Sequence, residues 1–173
     1  MTGTWKLAAI GAIALALGSA AAIGDPIKIE ALMAERQHMK LDFADGSRRY
    51  VTLMQREGAS SGDQLLAGAK VVEFGLHDVT PNGATDTIFY HAFTLPNGDT
   101  AYIKSAFRGV TVRGPDGKPR NALNGLWEVV GASGQLKGLK GAGTVRLKRV
   151  SKEARQFTFE GEASLPGGGP PAN

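Results

Sequence analysis

The sequence predicts an all-β protein whose strands form an antiparallel up-and-down barrel of about eight strands. Three observations support this prediction. Short apolar runs alternate with a period of two residues, turn residues separate these runs at regular intervals, and the 173 residues include no cysteine. Because no disulfide can form, one apolar core has to hold the fold. A barrel leaves no unpaired sheet edge, and a β-sandwich of the same strands is the alternative.

Residues 1–22 have the composition of a secretion signal peptide. Lys6 supplies the positive charge, residues 7–18 form an apolar stretch, and small residues follow at 19–22. A membrane-spanning helix needs about 20 apolar residues, so this stretch is too short for an anchor. We therefore expect cleavage after Ala22 and a periplasmic or secreted protein with no stable membrane anchor. An uncleaved anchor or a buried helix is the alternative.

The remaining chain forms one predicted domain, residues 23–165, in which seven segments have the pattern of strands. The last segment shows the pattern most clearly, because Phe157 and Phe159 fall on one face while Thr158 falls on the other. The predicted strands are residues 48–57, 69–79, 86–95, 100–112, 124–131, 143–150 and 156–165.

Short turns rich in glycine separate most of these strands. Proline presets φ at the first corner of a turn, and Asn-Gly or Asp-Gly supplies the positive φ that follows. Connections this short place successive strands side by side and antiparallel. The turns are residues 45–46, 81–83, 96–99 and 115–117.

Three segments fall outside this pattern of strands. Residues 29–39 are predicted as a possible helix, since four apolar residues recur there at helical spacing. Residues 58–64 are predicted as a flexible loop and residues 166–173 as a disordered tail, because both are rich in small and turn-forming residues. The apolar residues of the possible helix are Ile29, Leu32, Met33 and Met39.

Several predicted strands are apolar on both faces, and residues 86–95 are the example. Phe89 and Phe93 fall on one face, and Ile88 and Tyr90 fall on the other. A barrel in water should present a polar outer face, so the second apolar face needs cover. A homo-oligomer, either a dimer or a trimer, would supply that cover. Residues 27–39 of the same chain are the alternative.

Residues 131–143 carry five glycines, which raises the possibility of a phosphate-binding loop. Such a loop precedes a helix whose N-terminus faces the phosphate, whereas an alternating strand follows here at 143–150. The glycines are therefore interpreted as turn residues and as close strand passages. The formal net charge is +4, and the basic run at 146–149 is interpreted as a solvated strand face, with no nucleic-acid partner.

The same segment carries a resemblance to a known family. WEVVGASGQLKGLKGAGTVRLKRV (127–150), followed by RQFTFEGEASL (155–165), resembles the last three strands of the allene oxide cyclase-like barrels, a group that includes the plant dirigent proteins. SGDQLLAGAKVVEF (61–74) and FTLPNGDTAYIKSAFRG (93–109) resemble an early strand and the central hairpin of that family. The likeness covers about residues 60–165 and rests mostly on turns and glycines.

The resemblance implies an eight-stranded barrel with an apolar interior, often assembled into dimers or trimers. Members of the family cyclise or guide reactive hydrophobic molecules, or have no assigned activity. This chain lacks the pocket cysteine of the allene oxide cyclases, and neither their catalytic glutamate nor the dirigent aspartates align with a position here. The resemblance therefore carries over no catalytic residue, and a shared fold does not imply a function.

The candidate catalytic residues are Glu73, His77 and His91. The first two share a face of one predicted strand, and His91 lies between two phenylalanines on the next. If all three face inward, they form an acid–base cluster, because histidine transfers protons near neutral pH and a carboxylate fixes its tautomer. A metal site is conceivable from the ligand types, but we predict no metal and no cofactor. A register shift of one residue would instead send these side chains to opposite faces, leaving one histidine outside the barrel and one in its core.

Aromatic side chains are the predicted walls of a ligand site. Lys104 and Arg108 share a strand face with Tyr102 and lie near Glu128. If this face pointed into the barrel, the two cationic side chains would hold an anionic group of the ligand. We favour the other orientation, in which these residues form the wet outer face while Ile103 and Phe107 point inward. The predicted ligand-binding residues are Tyr90, Phe89, Phe93, Tyr102 and Trp127.

These observations predict an exported barrel that binds a small hydrophobic or amphipathic molecule in its interior or at its mouth. The first alternative is a cofactor-independent isomerase or cyclase, which would need an inward polar pair made by His91 with Glu73 or His77. The second alternative is a structural or interaction barrel whose interior is filled by its own side chains.

Overall fold

Eight antiparallel strands close into a barrel in the computed structural model, which describes residues 24–62 and 65–166 and, at 119–122, the backbone alone. Each strand pairs with the next along the chain, and the eighth pairs with the first. The predicted up-and-down barrel is therefore confirmed. The strands are β1 (Asp25–Asp42), β2 (Tyr50–Gly62), β3 (Lys70–Val79), β4 (Thr85–Thr94), β5 (Thr100–Arg113), β6 (Pro119–Ala132), β7 (Lys140–Arg149) and β8 (Ala154–Ser164).

The predicted signal peptide, residues 1–22, lies outside the described residues, and so does the predicted tail beyond Pro166. Between β6 and β7 the chain forms a short 3-10 helix, Gly134–Leu136. In the ranges that the structure describes, no helix has both the length and the apolar character needed to cross a membrane.

The two ends of the barrel differ. At the closed end, the loops after β2 and β6 carry Leu66, Leu136 and Leu139 over the interior, where each is at most 4% exposed. At the open end, the turns leave the interior accessible. Those turns span residues 43–49, 80–84, 114–118 and 150–153.

Alternate residues of each strand point into the barrel, and aromatic rings fill the half near the closed end. The ring centroids of Phe89 and Phe157 lie 5.5 Å apart, and those of Phe93 and Phe159 lie 5.6 Å apart, with both pairs edge to face. Such contacts stabilise a core beyond the burial of apolar area. The buried apolar residues are Ile27, Ile29, Ala31, Met33, Leu66, Ala69, Val71, Phe89, Phe93, Ala101, Ile103, Phe107, Trp127, Leu136, Leu139, Val145, Phe157, Phe159 and Ala163.

The possible helix at 29–39 is wrong, because these residues belong to β1. Ile29 and Met33 point into the barrel, whereas Leu32 is 54% exposed on the outside. The pairing with β2 shifts register between Glu35 and Gln37, so the alternation changes phase there. Apolar residues on both sides of this bulge fall by coincidence at helical spacing.

The predicted loop at 58–64 is also wrong over most of its length, since β2 continues to Gly62. Glycine and serine suit this strand because it passes very close to β1. A Cβ atom on Gly58 would lie 1.9 Å from the carbonyl oxygen of Leu32. Ser60 is buried, and its hydroxyl accepts a hydrogen bond from the backbone N–H of Ala69 at 3.0 Å.

Two facing glycines let β7 and β8 approach closely. Gly143 and Gly161 are register partners, and a Cβ atom on Gly143 would lie 2.1 Å from the carbonyl oxygen of Glu160. The same carbonyl accepts a hydrogen bond from the indole N–H of Trp127 at 3.2 Å. The glycines of this segment therefore allow β7 and β8 to pass close together beside the indole ring of Trp127. The sequence predicts such close strand passages.

We expect Gly143→Ala to lower the free energy of unfolding by about 1–3 kcal/mol, because the added methyl group overpacks the β7–β8 contact. Gly131→Ala is the matched control from the same segment, since its Cβ would meet only Tyr102 Cδ2 at 3.6 Å. Urea denaturation of both variants measures the difference. Equal stability of the two variants would show that the close approach does not constrain position 143.

Candidate functional site

A cavity of about 510 Å³ opens at the open end of the barrel. Its walls combine apolar and cationic side chains from all eight strands and one turn. The lining residues are His38, Lys40, Tyr50, Thr52, Met54, Arg56, His77, Val79, Gly83, Thr85, Phe89, Gly109, Val110, Leu123, Leu147 and Arg155.

Arg56 and Phe89 form the floor of this cavity. The Arg56 side chain is only 3% exposed and forms an ion pair with the Glu73 carboxylate. Its guanidinium carbon lies 5.9 Å from the centroid of the Phe89 ring, and its Nη2 lies 2.8 Å from the Met54 sulfur. Nε has no hydrogen-bond partner among the described residues. A guanidinium stays charged inside a protein, so the floor carries a fixed positive charge.

The rim of the cavity adds further cationic groups. Lys40 Nζ lies 2.6 Å from Asp42 Oδ1 and 4.4 Å from the Tyr50 ring centroid. Arg155 donates to the carbonyl oxygens of Ser151 and Ala154 at 3.0 Å each. Burial lowers the pKa of Arg155, with a further contribution from the neighbouring Arg56. Of the described residues that line the cavity, none is an aspartate or a glutamate.

Glu73 lies behind Arg56 and is fully buried. Burial raises the pKa of its carboxyl group to about 7, while the ion pair with Arg56 opposes that rise. Oε1 accepts the hydrogen bond from Arg56, and Oε2 has no partner within the described parts of the chain. Burial therefore makes this carboxyl group harder to ionise than an exposed glutamate, the ion pair with Arg56 favours its charged form, and the group does not line the cavity.

His91 is the register partner of Glu73 and lies in an aromatic cage. Burial lowers its pKa to about 3, and neither ring nitrogen has a hydrogen-bond partner among the described residues. The imidazole is therefore neutral and enclosed. The rings within 5.2–6.3 Å of it are those of Phe89, Phe93, Phe157 and Phe159.

His77 is the candidate catalytic residue that reaches the cavity. Its Nδ1 lies 3.2 Å from the hydroxyl of Thr87, and its ring packs edge to face on Phe89 at 5.0 Å. Burial lowers the pKa of His77 to about 4, with a further contribution from Arg56. The ring is therefore neutral at pH 7, and its Nε2 is unpartnered in the described ranges.

The structure thus brings the three candidate catalytic residues to one interior face, where they contribute to a polar layer above the aromatic core. Sequence reasoning missed Arg56, which connects this layer to the cavity. Thr52, Met54 and Arg56 alternate along β2, and this period-two spacing was the available signal. Among the described residues, no group of three histidine, aspartate or glutamate side chains is placed to hold a metal ion.

The predicted ligand-binding aromatic residues separate into three places. Phe89 reaches the cavity, whereas Phe93 and Trp127 are buried in the core beneath it. Tyr90 and Tyr102 point outward at 52% and 48% exposure, so they belong to no interior site. The reason is the strand period, which turns the odd-numbered residues of β4 and β5 inward.

Lys104 and Arg108 also lie on the outer face, the orientation that the sequence favours. Lys104 Nζ lies 3.9 Å from the Glu128 carboxylate, as the meander suggests. Their inward neighbours Ile103 and Phe107 are at most 4% exposed. The cationic groups of the cavity therefore come from β1, β2 and β8 and not from β5.

We expect Arg56→Met to lower the free energy of unfolding by about 3–5 kcal/mol, since it leaves the buried Glu73 carboxyl group without its partner. The double variant Arg56→Met/Glu73→Leu should recover at least half of this loss. Urea denaturation of the wild type, the two single variants and the double variant measures the loss and its recovery. Arg49→Met breaks the partly exposed pair with Asp78 and should change the stability far less, because exposed ion pairs contribute little. A double variant as unstable as Arg56→Met alone would contradict the pairing.

His91→Leu should make the protein less sensitive to acid. The folded pKa of about 3 lies below the ordinary value of 6.5, so the unfolded chain binds the proton more readily. The stabilising contribution is complete above the unfolded pKa and is lost as the pH falls toward the folded one. When the pH falls from about 7.5 to about 5, protonation of His91 in the unfolded chain should lower the free energy of unfolding of the wild type by about 2 kcal/mol.

Denaturation of His91→Leu at the two pH values should show a correspondingly smaller loss of stability than the wild type. Phe93→Leu, a truncation in the same core, controls for altered packing and should keep the wild-type pH dependence. A His91→Leu variant with the wild-type pH dependence would rule out a protonation-linked role for this ring.

Comparison with known proteins supports the fold without naming a function. The chain matches no protein-family profile, and no curated protein matches it. It is similar to a protein of unknown function from Clostridium acetobutylicum ATCC 824, with 12% identity and a TM-score of 0.58 over 80% of this chain and 97% of that one. It is also similar to a conserved protein of unknown function from Rhodopseudomonas palustris, with 10% identity and a TM-score of 0.56 over 82% of this chain and 98% of that one.

Proposed function

We propose that the protein binds a small molecule with an apolar body and an anionic group in the cavity at the open end. The observation that carries this proposal is the combination of apolar walls with cationic groups from three strands and no lining carboxylate among the described residues. Pockets of about 300–1,000 Å³ with few polar groups are typical of small-molecule sites.

The two parts of such a ligand would gain affinity in different ways. Phe89, Leu123 and Leu147 offer apolar surface, and each Å² removed from water contributes about 25 cal/mol. The anionic group would approach Arg56 or Arg155, where partial burial strengthens a charge-assisted hydrogen bond. The Arg56 guanidinium is held by Glu73, so little side-chain entropy is lost when it contacts a ligand.

An isomerase or cyclase is supported less well by the positions of the candidate catalytic groups. His77 meets the cavity and its neutral ring could accept a proton at Nε2. Glu73 lies behind Arg56, and His91 is enclosed by four phenylalanine rings. The inward pair that this alternative needs for proton transfer, His91 with Glu73 or His77, is therefore not on the cavity wall, where only His77 of the three lies. Binding without turnover is the simpler function for this geometry.

A wholly filled structural barrel is also supported less well. Side chains fill the interior from the closed end as far as Phe89, but the cavity occupies the half above it. Export to the periplasm or beyond remains part of the proposal, and its support is the sequence of residues 1–22.

Fluorescence titration with two matched probes tests the binding proposal. Anilinonaphthalenesulfonate carries an apolar body and a sulfonate, and phenylnaphthylamine has the same body without the charge. We expect the sulfonate to bind more tightly. Arg155→Met should weaken the sulfonate about tenfold and leave the neutral probe nearly unchanged, since a hydrogen bond to a charged group is worth about 1.5–3 kcal/mol.

Two further variants identify the site that the probe occupies. Leu147→Trp narrows the cavity and should weaken both probes. Arg108→Met removes an arginine from the outer face, where its side chain is 77% exposed, and should change neither. Probe binding that is unaffected by both Arg155→Met and Leu147→Trp would overturn the proposed site.

A further inference from the structure

Four strands share a row of exposed apolar side chains on the outside of the barrel. Met39 pairs with Leu53, Leu53 with Leu76, and Leu76 with Ile88, so the row crosses β1 to β4 without a break. Two aromatic residues lie in the next row. We call the set the outer apolar face, and it consists of Met39 (68% exposed), Leu53 (51%), Phe74 (60%), Leu76 (44%), Ile88 (43%) and Tyr90 (52%).

The area of this face is at the upper limit for a monomer and approaches one side of a protein interface. If about 200 Å² is taken for a fully exposed large side chain, within the range for aromatic side chains, six residues at about half exposure present roughly 600 Å². The largest apolar patch on a typical monomer is about 300–600 Å². A stable interface buries about 800 Å² per partner, and the neighbouring Gln37 and Gln55 together with the surrounding rim extend the face toward that area.

The distribution of charge around the face also matches an interface. None of the six side chains is charged, and paired charges surround them. Arg108 and Asp86 approach to 4.0 Å, Lys104 and Glu128 to 3.9 Å, and Arg36 and Glu57 to 3.8 Å. An apolar centre with a polar, charge-balanced rim is the usual anatomy of a protein–protein interface. A strongly charged partner, such as nucleic acid, would find no complementary field in the centre.

The segment predicted as an alternative cover, residues 27–39, does not lie over this face. It forms part of β1, and β1 pairs with β2 and β8 as a wall of the barrel. The second apolar face of β4 is therefore uncovered in the described chain.

We propose that the outer apolar face binds the same face of a second copy of this chain in a two-fold symmetric dimer. A face without charge in its centre is complementary to itself, and a two-fold axis closes the assembly after one contact. Two antiparallel sheets pack face to face with their strands nearly aligned, so the cross-strand rows of the two copies would interdigitate. The open-end cavity lies inside each barrel and stays independent of this contact.

Light scattering after size-exclusion chromatography gives the first test. Expressed from its full gene and purified at micromolar concentration, the protein should have twice the mass of one chain. Phe74→Lys and Leu76→Lys each introduce one charge per copy, so a symmetric contact would bury two charges. Each substitution should raise the dissociation constant of the dimer at least about 100-fold. Val112→Lys is the control, because Val112 lies on β5 outside the face at a similar exposure of 46%.

Cysteine cross-linking gives a test that does not depend on the folding of charged variants. The natural chain has no cysteine, so Leu76→Cys and Ile88→Cys each introduce a single thiol near the proposed axis. Oxidation should join two copies of either variant through a disulfide, whereas Val112→Cys should form no disulfide-linked dimer under the same conditions.

Each other outcome overturns the proposal. A wild-type monomer with a freely reactive Leu76→Cys thiol would mean that the face is uncovered in solution. A monomer in which this thiol is shielded only while residues 1–22 are attached would assign the face to that segment. An oligomer that both lysine variants leave intact would place the contact elsewhere on the barrel.

Discussion

The pairing of β1 with both of its neighbours is the constraint on which the rest of the structure depends. The β1 ladder to β8 runs from Asp25 to Ala34, and its ladder to β2 runs from Ile29 to Asp42. The first ladder closes the barrel and allows alternate side chains to share one sealed interior. The pairing with β8 ends at Ala34, opposite the first residue of β8, and beyond the bulge between Glu35 and Gln37 β1 continues on β2 alone.

This change of partners divides the barrel into two halves with different chemistry. Where both ladders are present, the interior is packed mostly with phenylalanine rings. Beyond the bulge, the interior widens into the cavity, and His38 and Lys40 from the second part of β1 line its rim. Arg56 and Glu73 lie at the boundary, so an ion pair shielded from water separates the packed half from the accessible half. Taking two charges out of water is costly, so each of the two buried groups depends on its direct contact with the other.

The sequence was sufficient for the fold class because turns and strand alternation are local signals. Seven of the eight strands follow from Pro-Asn-Gly or Asp-Gly turns and a period of two, with boundaries that differ by a few residues. β1 could not be predicted because one bulge shifts the phase of its alternation. Gly58 to Gly62 could not be recognised as strand because their composition reflects a close approach to β1, which is a tertiary contact.

The candidate site was less accessible to sequence reasoning than the fold. Glu73, His77 and His91 could be grouped because they alternate along adjacent strands. Their burial, and therefore the directions of their pKa values, depends on a register that no local signal fixes. Tyr90 was assigned to a ligand wall because an aromatic ring suits either a pocket or an interface. Only closure of the barrel decides which side of β4 is inside.

The one-sided pairing of the second part of β1 also has a consequence for local stability. Residues 37–42 form their ladder with β2 only, and Leu41 in this part is 65% exposed. Fewer buried contacts and fewer cross-strand bonds hold this segment than any strand with two partners, so its opening free energy lies below that of global unfolding. Its backbone amides should exchange with solvent ahead of those in β4 or β5. We therefore expect the β1 part of the cavity rim to separate more readily than the aromatic core.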